Sequence, residues 1–388
     1  MKTILIRSNS NTQSVFKAAE ALAQNGQTVT VLVWDRGSRA VPEPQSSYSL
    51  IRFRLGAPHD RISALLFLPL WWVYEFLILL KFDADVFHPC DLDTLAPAIL
   101  ASVMRKKILC YTIYDFYADN LPDGFAQPLR ASIRKVLATI ECSGIRFAAI
   151  LFLVDESRLV QVKGAKVKRV VYAYNSPPDR LNPCGQSEVR TGRDCVIFYA
   201  GSLIKEQRGL EQIIAAVEGL DGVTLRLAGT GPDEDYLKHL AARSNNVRFL
   251  GWLTYEEMLR QELASDILFR FGNPKLPSTR YASPNKLFEA MMCSKPIIVS
   301  DGSSMADIVR EREVGLVVPF GEVSILRSAI LRLRDNPGLR TELGANGRKS
   351  YQERYSWDRV ACRLAEAYRN LEINEMSPAG RRWRWHPF

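Results

Sequence analysis

The sequence predicts an α/β protein built from two doubly wound, parallel-sheet domains. Three observations carry this. Short apolar runs alternate with helix-period stretches along most of the chain. That alternation lapses once, in a Pro- and Gly-rich stretch near the middle, and then restarts. The composition is that of a globular protein: 388 residues, 47% hydrophobic and 24% charged. Disordered, collagen-like and disulfide-stapled classes are thereby excluded. At roughly 100–200 residues per domain, the length suits two domains.

Residues 3–6 (Thr-Ile-Leu-Ile) read as a buried strand, followed by a polar loop over 8–14. Val15, Ala18, Ala19 and Leu22 then recur at helical spacing, and Asn25-Gly26 supplies a helix stop. Residues 29–34 are the next strand. Strand, loop, helix and strand in so short a span make a βαβ unit and a parallel sheet. Further strands are expected near 49–54, 85–88, 108–112, 148–153 and 169–173. The first domain covers 1–180. Residues 181–195 lie in a Pro/Gly cluster without apolar periodicity and read as a linker.

The pattern then restarts over 196–350. Residues 196–200 are a strand, 201–209 a loop and 210–217 a helix. Strands follow at 223–228, 247–250, 266–271, 296–299 and 315–318. Two Rossmann-like domains in tandem result. Residues 351–372 read as a long amphipathic helix. Residues 373–388 form a basic, aromatic tail with Arg381, Arg382, Trp383, Arg384 and Trp385.

Residues 62–80 (ISALLFLPLWWVYEFLILL) carry a single charge, Glu75. Length alone admits a membrane span. Glu75, Pro69 and the place within a βα series argue against one, because the flanking strands of one sheet would fall on opposite sides of a bilayer. Two readings stand: a buried crossover helix, or a surface helix dipping into a membrane interface, with Trp71, Trp72 and Tyr74 at headgroup level.

The formal charge is +9, from 51 Lys and Arg against 42 Asp and Glu. It divides unevenly: +6 over residues 1–180, zero over 181–375 and +3 over 376–388. The excess therefore suits an anionic membrane or a lipid diphosphate on the first domain and the tail. No nucleic-acid-reading motif interleaves the basic residues, so nucleic acid is not an expected partner. The seven cysteines show no CxxC spacing, which suits a reducing compartment. The apolar stretch after Met1-Lys2 is too short for a signal-peptide core, and a cytoplasmic location is expected.

Ligands of parallel sheets sit beyond the carboxyl ends of the strands. Three loops of the second domain meet that rule. Residues 201–209 include Gly201, Ser202, Lys205 and Arg208, small groups for close approach and cations for phosphate. Gly229-Thr230-Gly231-Pro232 is a tight turn after a strand. Ser283-Pro284-Asn285-Lys286-Leu287-Phe288-Glu289 opens a helix, where Pro leaves free backbone donors. Lys286 and Glu289, one turn apart, can face one crevice. Together these loops point to an anionic, nucleotide-like ligand.

Residues 283–301 (SPNKLFEAMMCSKPIIVSD) resemble the nucleotide-sugar signature of family-4 retaining glycosyltransferases of the GT-B fold. Residues 198–217 (FYAGSLIKEQRGLEQIIAAV), 225–240 (LRLAGTGPDEDYLKHL), 247–253, 307–320 and 355–368 agree in order and spacing. So do 87–122 and 170–179, and the resemblance runs to about residue 372. It implies two domains facing across a cleft, with helix 351–372 crossing back to the first. It also implies metal-independent hexosyl transfer from a nucleotide-diphosphate sugar, with retention, the departing diphosphate taking the acceptor's proton. No cofactor beyond that co-substrate is implied.

Residue by residue, the resemblance gives Glu289 the ribose hydroxyls and Arg208 the diphosphate. Ser283, Asn285, Lys286 and Leu287 match the phosphate-facing helix start. Arg208 and Lys286 would stabilise the leaving group. Ser202 stands where the family usually has Arg, with Lys205 as a substitute, and Tyr281 replaces the first Glu of the Glu-x7-Glu motif. A family His falls near Tyr114, leaving Asp115 and Asp119 as polar candidates, Asp115 the catalytic one. Asp83-Ala84-Asp85 and Asp91-Leu92-Asp93 spell a metal-binding tripeptide, but they lie in the other domain. Asp91 or Asp93 fits an acceptor hydroxyl better, and His88 and His239 read as packing or surface residues. The expected acceptor is a lipid-linked saccharide in cell-surface polysaccharide or glycolipid assembly, met on the inner face of the cytoplasmic membrane. The alternatives are a non-catalytic nucleotide-binding subunit and a nucleotide-sugar epimerase of the same fold.

Overall fold

β1 (Lys2–Arg7) and β2 (Thr28–Asp35) are buried along nearly their whole length. Such strands need cover on both faces, which is why they lie inside a parallel sheet. The computed structural model describes residues 1–9, 13–37, 47–58, 65–119, 121, 127–180, 194–281 and 285–376. The linker 181–195 lies outside them up to residue 193, as do Ser283 and the tail beyond 376. The chain divides into two units, Met1–Tyr174 with the chain from Val360 onward, and Asn175–Arg359.

In the first unit, β3 (Ser49–Arg54), β4 (Val86–Pro89), β5 (Ile108–Ile113), β6 (Ile150–Leu153) and β7 (Val170–Tyr172) join β1 and β2. Among the described residues the order is β3-β2-β1-β4-β5-β6-β7, all parallel. The chain steps outward from β1 to β3 and returns on the other side at β4. The topological switch point therefore lies between β1 and β4, flanked by Arg7-Ser8 and Cys90-Asp91.

The expected helix over 62–80 begins later, at Leu68, and ends at Lys81. Pro69 sits in its first turn, where a missing N–H leaves no bond unmade. The helix is neither wholly buried nor wholly interfacial. Trp71, Glu75 and Leu79, spaced by four, are fully buried, and Trp71 stacks on Trp34 at 6.1 Å. Leu70, Trp72, Val73 and Leu77 are exposed. The only charge in the stretch thus faces inward. Burial, with Asp93 nearby, raises the Glu75 carboxyl well above its ordinary value. Among the described residues, no helix is long and apolar enough to cross a membrane.

The second unit contains β8 (Cys195–Ala200), β9 (Val223–Ala228), β10 (Val247–Gly251), β11 (Ile267–Arg270), β12 (Ile297–Ser300) and β13 (Gly315–Val318). Their order is β10-β9-β8-β11-β12-β13, again parallel, with the switch point between β8 and β11. Ile197, Leu225 and Ile267 sit side by side at the centre of its core.

The expected continuous helix over 351–372 is broken. Tyr351–Tyr355 form a wide π turn, Ser356 is extended, and a new helix runs from Trp357 to Met376. The cause is anchoring. Tyr351 and Tyr355 are both buried, the Tyr351 hydroxyl donates to the Pro177 carbonyl at 2.8 Å, and the Ser356 amide donates to the Tyr351 carbonyl.

The last helix joins the first unit. Tyr368 is fully buried, and its hydroxyl meets His88 Nδ1 at 2.5 Å, while His88 Nε2 meets Thr112 Oγ1 at 2.6 Å. Burial pulls His88 down from 6.5 to about 3. The unfolded chain takes up a proton below about 6.5, and the folded chain does not until about 3. Stability from this group is therefore full above that window and lost as pH falls through it, at about 1.4 kcal/mol per pH unit. Urea unfolding across this range should show wild type losing stability more steeply than His88→Gln. Parallel profiles would contradict the buried neutral histidine.

Candidate functional site

The site-forming loops of the second unit leave the carboxyl ends of β8, β9 and β10. At their closest they touch backbone to backbone. A Cβ on Gly229, whose φ is +126°, would fall 1.9 Å from the Gly201 carbonyl oxygen. A Cβ on Gly231 would fall 2.3 Å from the Leu203 oxygen. Only glycine permits this approach. It lets Gly201 N donate to the Ala228 oxygen and Leu203 N to the Thr230 oxygen, both at 3.0 Å. The third loop is drawn in by the Gly229 amide, which donates to the Gly251 oxygen at 2.7 Å.

Above these loops opens a cavity of about 400 Å³. Ala200, Gly201 and Ser202 line it from β8, Ala228, Gly229 and Thr230 from β9, and Trp252 and Leu253 from β10. Met258 and Lys286 close it. Its volume is that of a small-molecule pocket. Trp252 is 70% exposed, so its indole offers an open face on which a flat base can stack.

The electrostatics centre on Tyr199. Its ring is buried, and its hydroxyl donates to the Ser202 carbonyl at 2.8 Å. Burial raises its pKa, opposed by three cations: Arg270, Arg208 and Lys286. All three therefore act on the Tyr199 hydroxyl beside the β8 loop. Arg208 Nε is buried without a hydrogen-bond partner. Burial and the Arg208 charge pull Arg270 down to about 10, so Arg270 stays charged at neutral pH and is repelled by its neighbour. Neither pairs with a carboxylate among the described side chains. Two adjacent unanswered cations favour an anion between them.

Most of the candidate residues of this unit assemble here. Gly201, Ser202, Gly229 and Lys286 line the cavity, and Arg208 joins through Tyr199. Glu289 is buried and pairs with Lys286 at 2.6 Å. Asn285 opens the Asn285–Met292 helix. Leu287 is fully buried core, so only its backbone is available. Lys205 points elsewhere, its ammonium 4.7 Å above the Tyr236 ring. Ser283 lies outside the described residues. The sequence reading missed Arg270 and Glu262, and pointed to the loop 251–253 for its backbone rather than for the Trp252 side chain. Glu262 is buried and 3.2 Å from Lys286 Nζ.

Asp115 belongs to the first unit. Its amide and that of Tyr114 donate to Asp91 Oδ1, at 3.0 and 2.7 Å, and Arg7 pairs with Asp91 at 2.8 Å. Asp91 holds φ 68° and ψ 166°, a backbone state rare outside glycine and concentrated at functional sites. The Ser8 hydroxyl donates to Asp93. Arg7, Ser8, Asp91 and Asp93 thus form a polar cluster at the switch point of the first sheet. The outer Asp-x-Asp pair is exposed and bound to lysines, Asp83 to Lys2 and Asp85 to Lys107. Among the described residues no group of three His, Cys, Asp or Glu side chains could hold a metal ion.

Residues 194–336 match the family model described as glycosyl transferases group 1. The chain is 27% identical over 177 residues to the lipopolysaccharide core biosynthesis glycosyltransferase LpsD of Rhizobium meliloti, covering 45% of this chain and 49% of that protein. It is 31% identical over 165 residues to a GDP-mannose-dependent monoacylated alpha-(1-6)-phosphatidylinositol monomannoside mannosyltransferase of Corynebacterium glutamicum, covering 42% of each. The match spans about half the length of these curated relatives. Among solved structures, sucrose-phosphate synthase from Thermosynechococcus elongatus superposes with TM-score 0.76 at 18% identity, over 96% of this chain and 99% of that one. Anabaena HepE in complex with UDP gives 0.69 at 15%, over 95% and 100%. At such identities the likeness speaks for the fold, which is the GT-B fold expected from the sequence.

The unanswered cations make a direct prediction. Inorganic pyrophosphate at low salt should raise the melting temperature of the wild type by mass action. In an Arg208→Ala, Arg270→Ala double variant that shift should fall by more than half. An equal shift in both proteins would remove the anion-site assignment.

Proposed function

We propose that this chain, whose residues 194–336 belong to the group 1 glycosyl transferases, moves a sugar from a nucleoside-diphosphate donor to a saccharide acceptor with retention. The observation that carries the reading is the cavity walled by glycine loops, Trp252 and Lys286, with the buried, unpartnered Arg208 Nε and Arg270 acting on Tyr199 beside it. Cations for a diphosphate and an aromatic face for a base are what a nucleotide needs.

The chemistry then follows from fixed charge. As the bond from sugar to diphosphate breaks, negative charge grows on the leaving oxygen. Arg208, Arg270 and Lys286 stabilise it without reorganising, and no metal is required. The departing diphosphate, on the same face of the sugar as the incoming hydroxyl, takes the acceptor's proton, and retention results. Glu289 holds the ribose and takes no part in proton transfer.

The acceptor belongs to the polar cluster of the first unit, where Asp93 and Asp115 offer carboxylates to sugar hydroxyls and Asp91, its oxygens taken by Arg7 and two backbone amides, holds the loop. A lipid-linked acceptor is supported by the surface nearby. The helices Leu68–Lys81, Leu92–Arg105 and Gln127–Ile145 pack in series and expose Leu70, Val73, Leu77, Leu100, Met104, Val136 and Ile140. Lys81, Lys106, Arg134 and Lys135 lie exposed on the same helices or at their ends. Each basic residue near an anionic bilayer contributes about 1 kcal/mol, so this face suits the inner surface of the cytoplasmic membrane. The relatives named for lipopolysaccharide core and phosphatidylinositol mannoside synthesis agree with such an acceptor.

The test is transfer itself. The protein is mixed with a panel of nucleotide sugars and vesicles of anionic phospholipid carrying lipid-linked saccharides. Transfer should keep the donor's anomeric configuration in the product's NMR spectrum. Arg208→Ala should lower kcat by about 10²–10³-fold. An inverted product would overturn the mechanism, and full activity in Arg208→Ala would overturn the site.

A further inference from the structure

The helix Tyr255–Leu263 has the sequence YEEMLRQEL and carries three glutamates. Glu256 and Glu257 lie on its outer side, and Glu257 completes a capping box with Thr254. Glu262 is different, being 1% exposed. Its Oε1 lies 3.2 Å from Lys286 Nζ, and the same ammonium lies 2.6 Å from Glu289 Oε2. One cation therefore faces two buried carboxyl groups.

Among the described residues the one cation acting on Glu262 is Lys286, while Lys295 acts on the neighbouring Cys293 thiol. From the end of the Asn285–Met292 helix, the Cys293 thiol points at Glu262 Oε2 at 3.9 Å, and burial raises it well above the usual thiol range. From Glu262's own helix, the Tyr255 phenol is pushed up by burial and by Glu289 and Glu262. Met258 Sδ meets the Lys286 ammonium. Arg180 lies 5.0 Å above the Tyr255 ring and is itself paired with Glu256. Two ionised carboxylates around one ammonium would leave a net negative charge in the wall of the cavity. Such a charge is costly in a buried site and opposes an anionic ligand.

We infer that Glu262 is a positioning residue for nucleotide binding: as a neutral acid it donates to Glu289, so that the Lys286–Glu289 pair in the cavity wall carries no net charge against the ligand. The inference rests on the nucleotide-site reading above and adds a residue that acts through Glu289 and Lys286 rather than on the ligand. It has a consequence in pH. Burial, with the Glu289 carboxylate beside it, pushes the Glu262 carboxyl up to about 8. Below that pH the cluster of Lys286, Glu289 and protonated Glu262 is neutral. Above it the cluster is negative, nucleotide affinity falls, and binding draws the proton back.

The experiment is calorimetric titration of the full chain with uridine, guanosine and adenosine diphosphates. It is run from about pH 6.5 to about pH 8.5, on wild type and Glu262→Gln. For the diphosphate that binds, wild-type affinity should fall roughly three- to tenfold across the range. Glu262→Gln keeps a donor for Glu289 but cannot ionise. Its profile should be flatter, retaining only the ligand's own ionisation. A second measurement needs no variant. Wild type titrated near pH 8 in two buffers of different ionisation enthalpy should take up a fraction of a proton on binding. Identical pH profiles in the two proteins, or no proton uptake by wild type, would overturn the role of Glu262 while leaving the nucleotide site standing. Failure of all three diphosphates to bind wild type would overturn the site reading, and the inference with it.

Discussion

The second unit's site depends on one close approach, the backbone of Gly229 against the carbonyl of Gly201. A methyl group there would overlap that oxygen at 1.9 Å. Because no side chain intervenes, the loops after β8 and β9 lie amide to carbonyl and bring the loop after β10 with them. Their shared upper surface is the cavity. Beside them, the Tyr199 hydroxyl is fixed by the Ser202 carbonyl, within the field of Arg208, Arg270 and Lys286. Backbone packing sets the shape, and the shape sets where charge is gathered.

The distribution of charge then acquires a meaning that the total of +9 conceals. The second domain has no net charge over residues 181–375, yet it places the half-buried guanidinium groups of Arg208 and Arg270 within reach of each other's charge, neither paired with a carboxylate among the described residues. An arrangement of this kind opposes folding and favours ligand, as is common where binding sites store strain. The opposite balance holds a few residues away, where two carboxyl groups share the Lys286 ammonium. Anion attraction at the site is thus the difference between two local imbalances. On the proposed reading, the surplus of the first unit and its neighbouring apolar helices serve a surface rather than a pocket.

The fold was legible because βα alternation is a periodic signal, and a restart of that signal marks a second domain. The loops were legible because their glycines and prolines sit at strand ends. Arg270 was not. It ends an ordinary buried strand, and its neighbour Arg208 is far away in sequence; only the sheet order, β8 beside β11, unites them. Glu262 was hidden among the three glutamates of one short amphipathic helix, and spacing alone does not say which of them faces inward. Glu75, read from the sequence only as an argument against a membrane span, lies fully buried, a placement that spacing alone does not reveal. The C-terminal helix read as continuous because a π turn keeps helical spacing, and its break comes from tertiary anchoring of Tyr351 and Tyr355. Lys205 was chosen by charge and loop position, but its ammonium is taken up by Tyr236.

The central claim is that a nucleoside diphosphate lies on the loops after β8, β9 and β10. Amide hydrogen exchange, with and without that ligand, tests it most directly. The account predicts slowed exchange at residues 201–203, 229–231 and 251–253 and at the start of the Asn285–Met292 helix. Slowed exchange confined to the polar cluster of the first unit, with these loops unchanged, would contradict it.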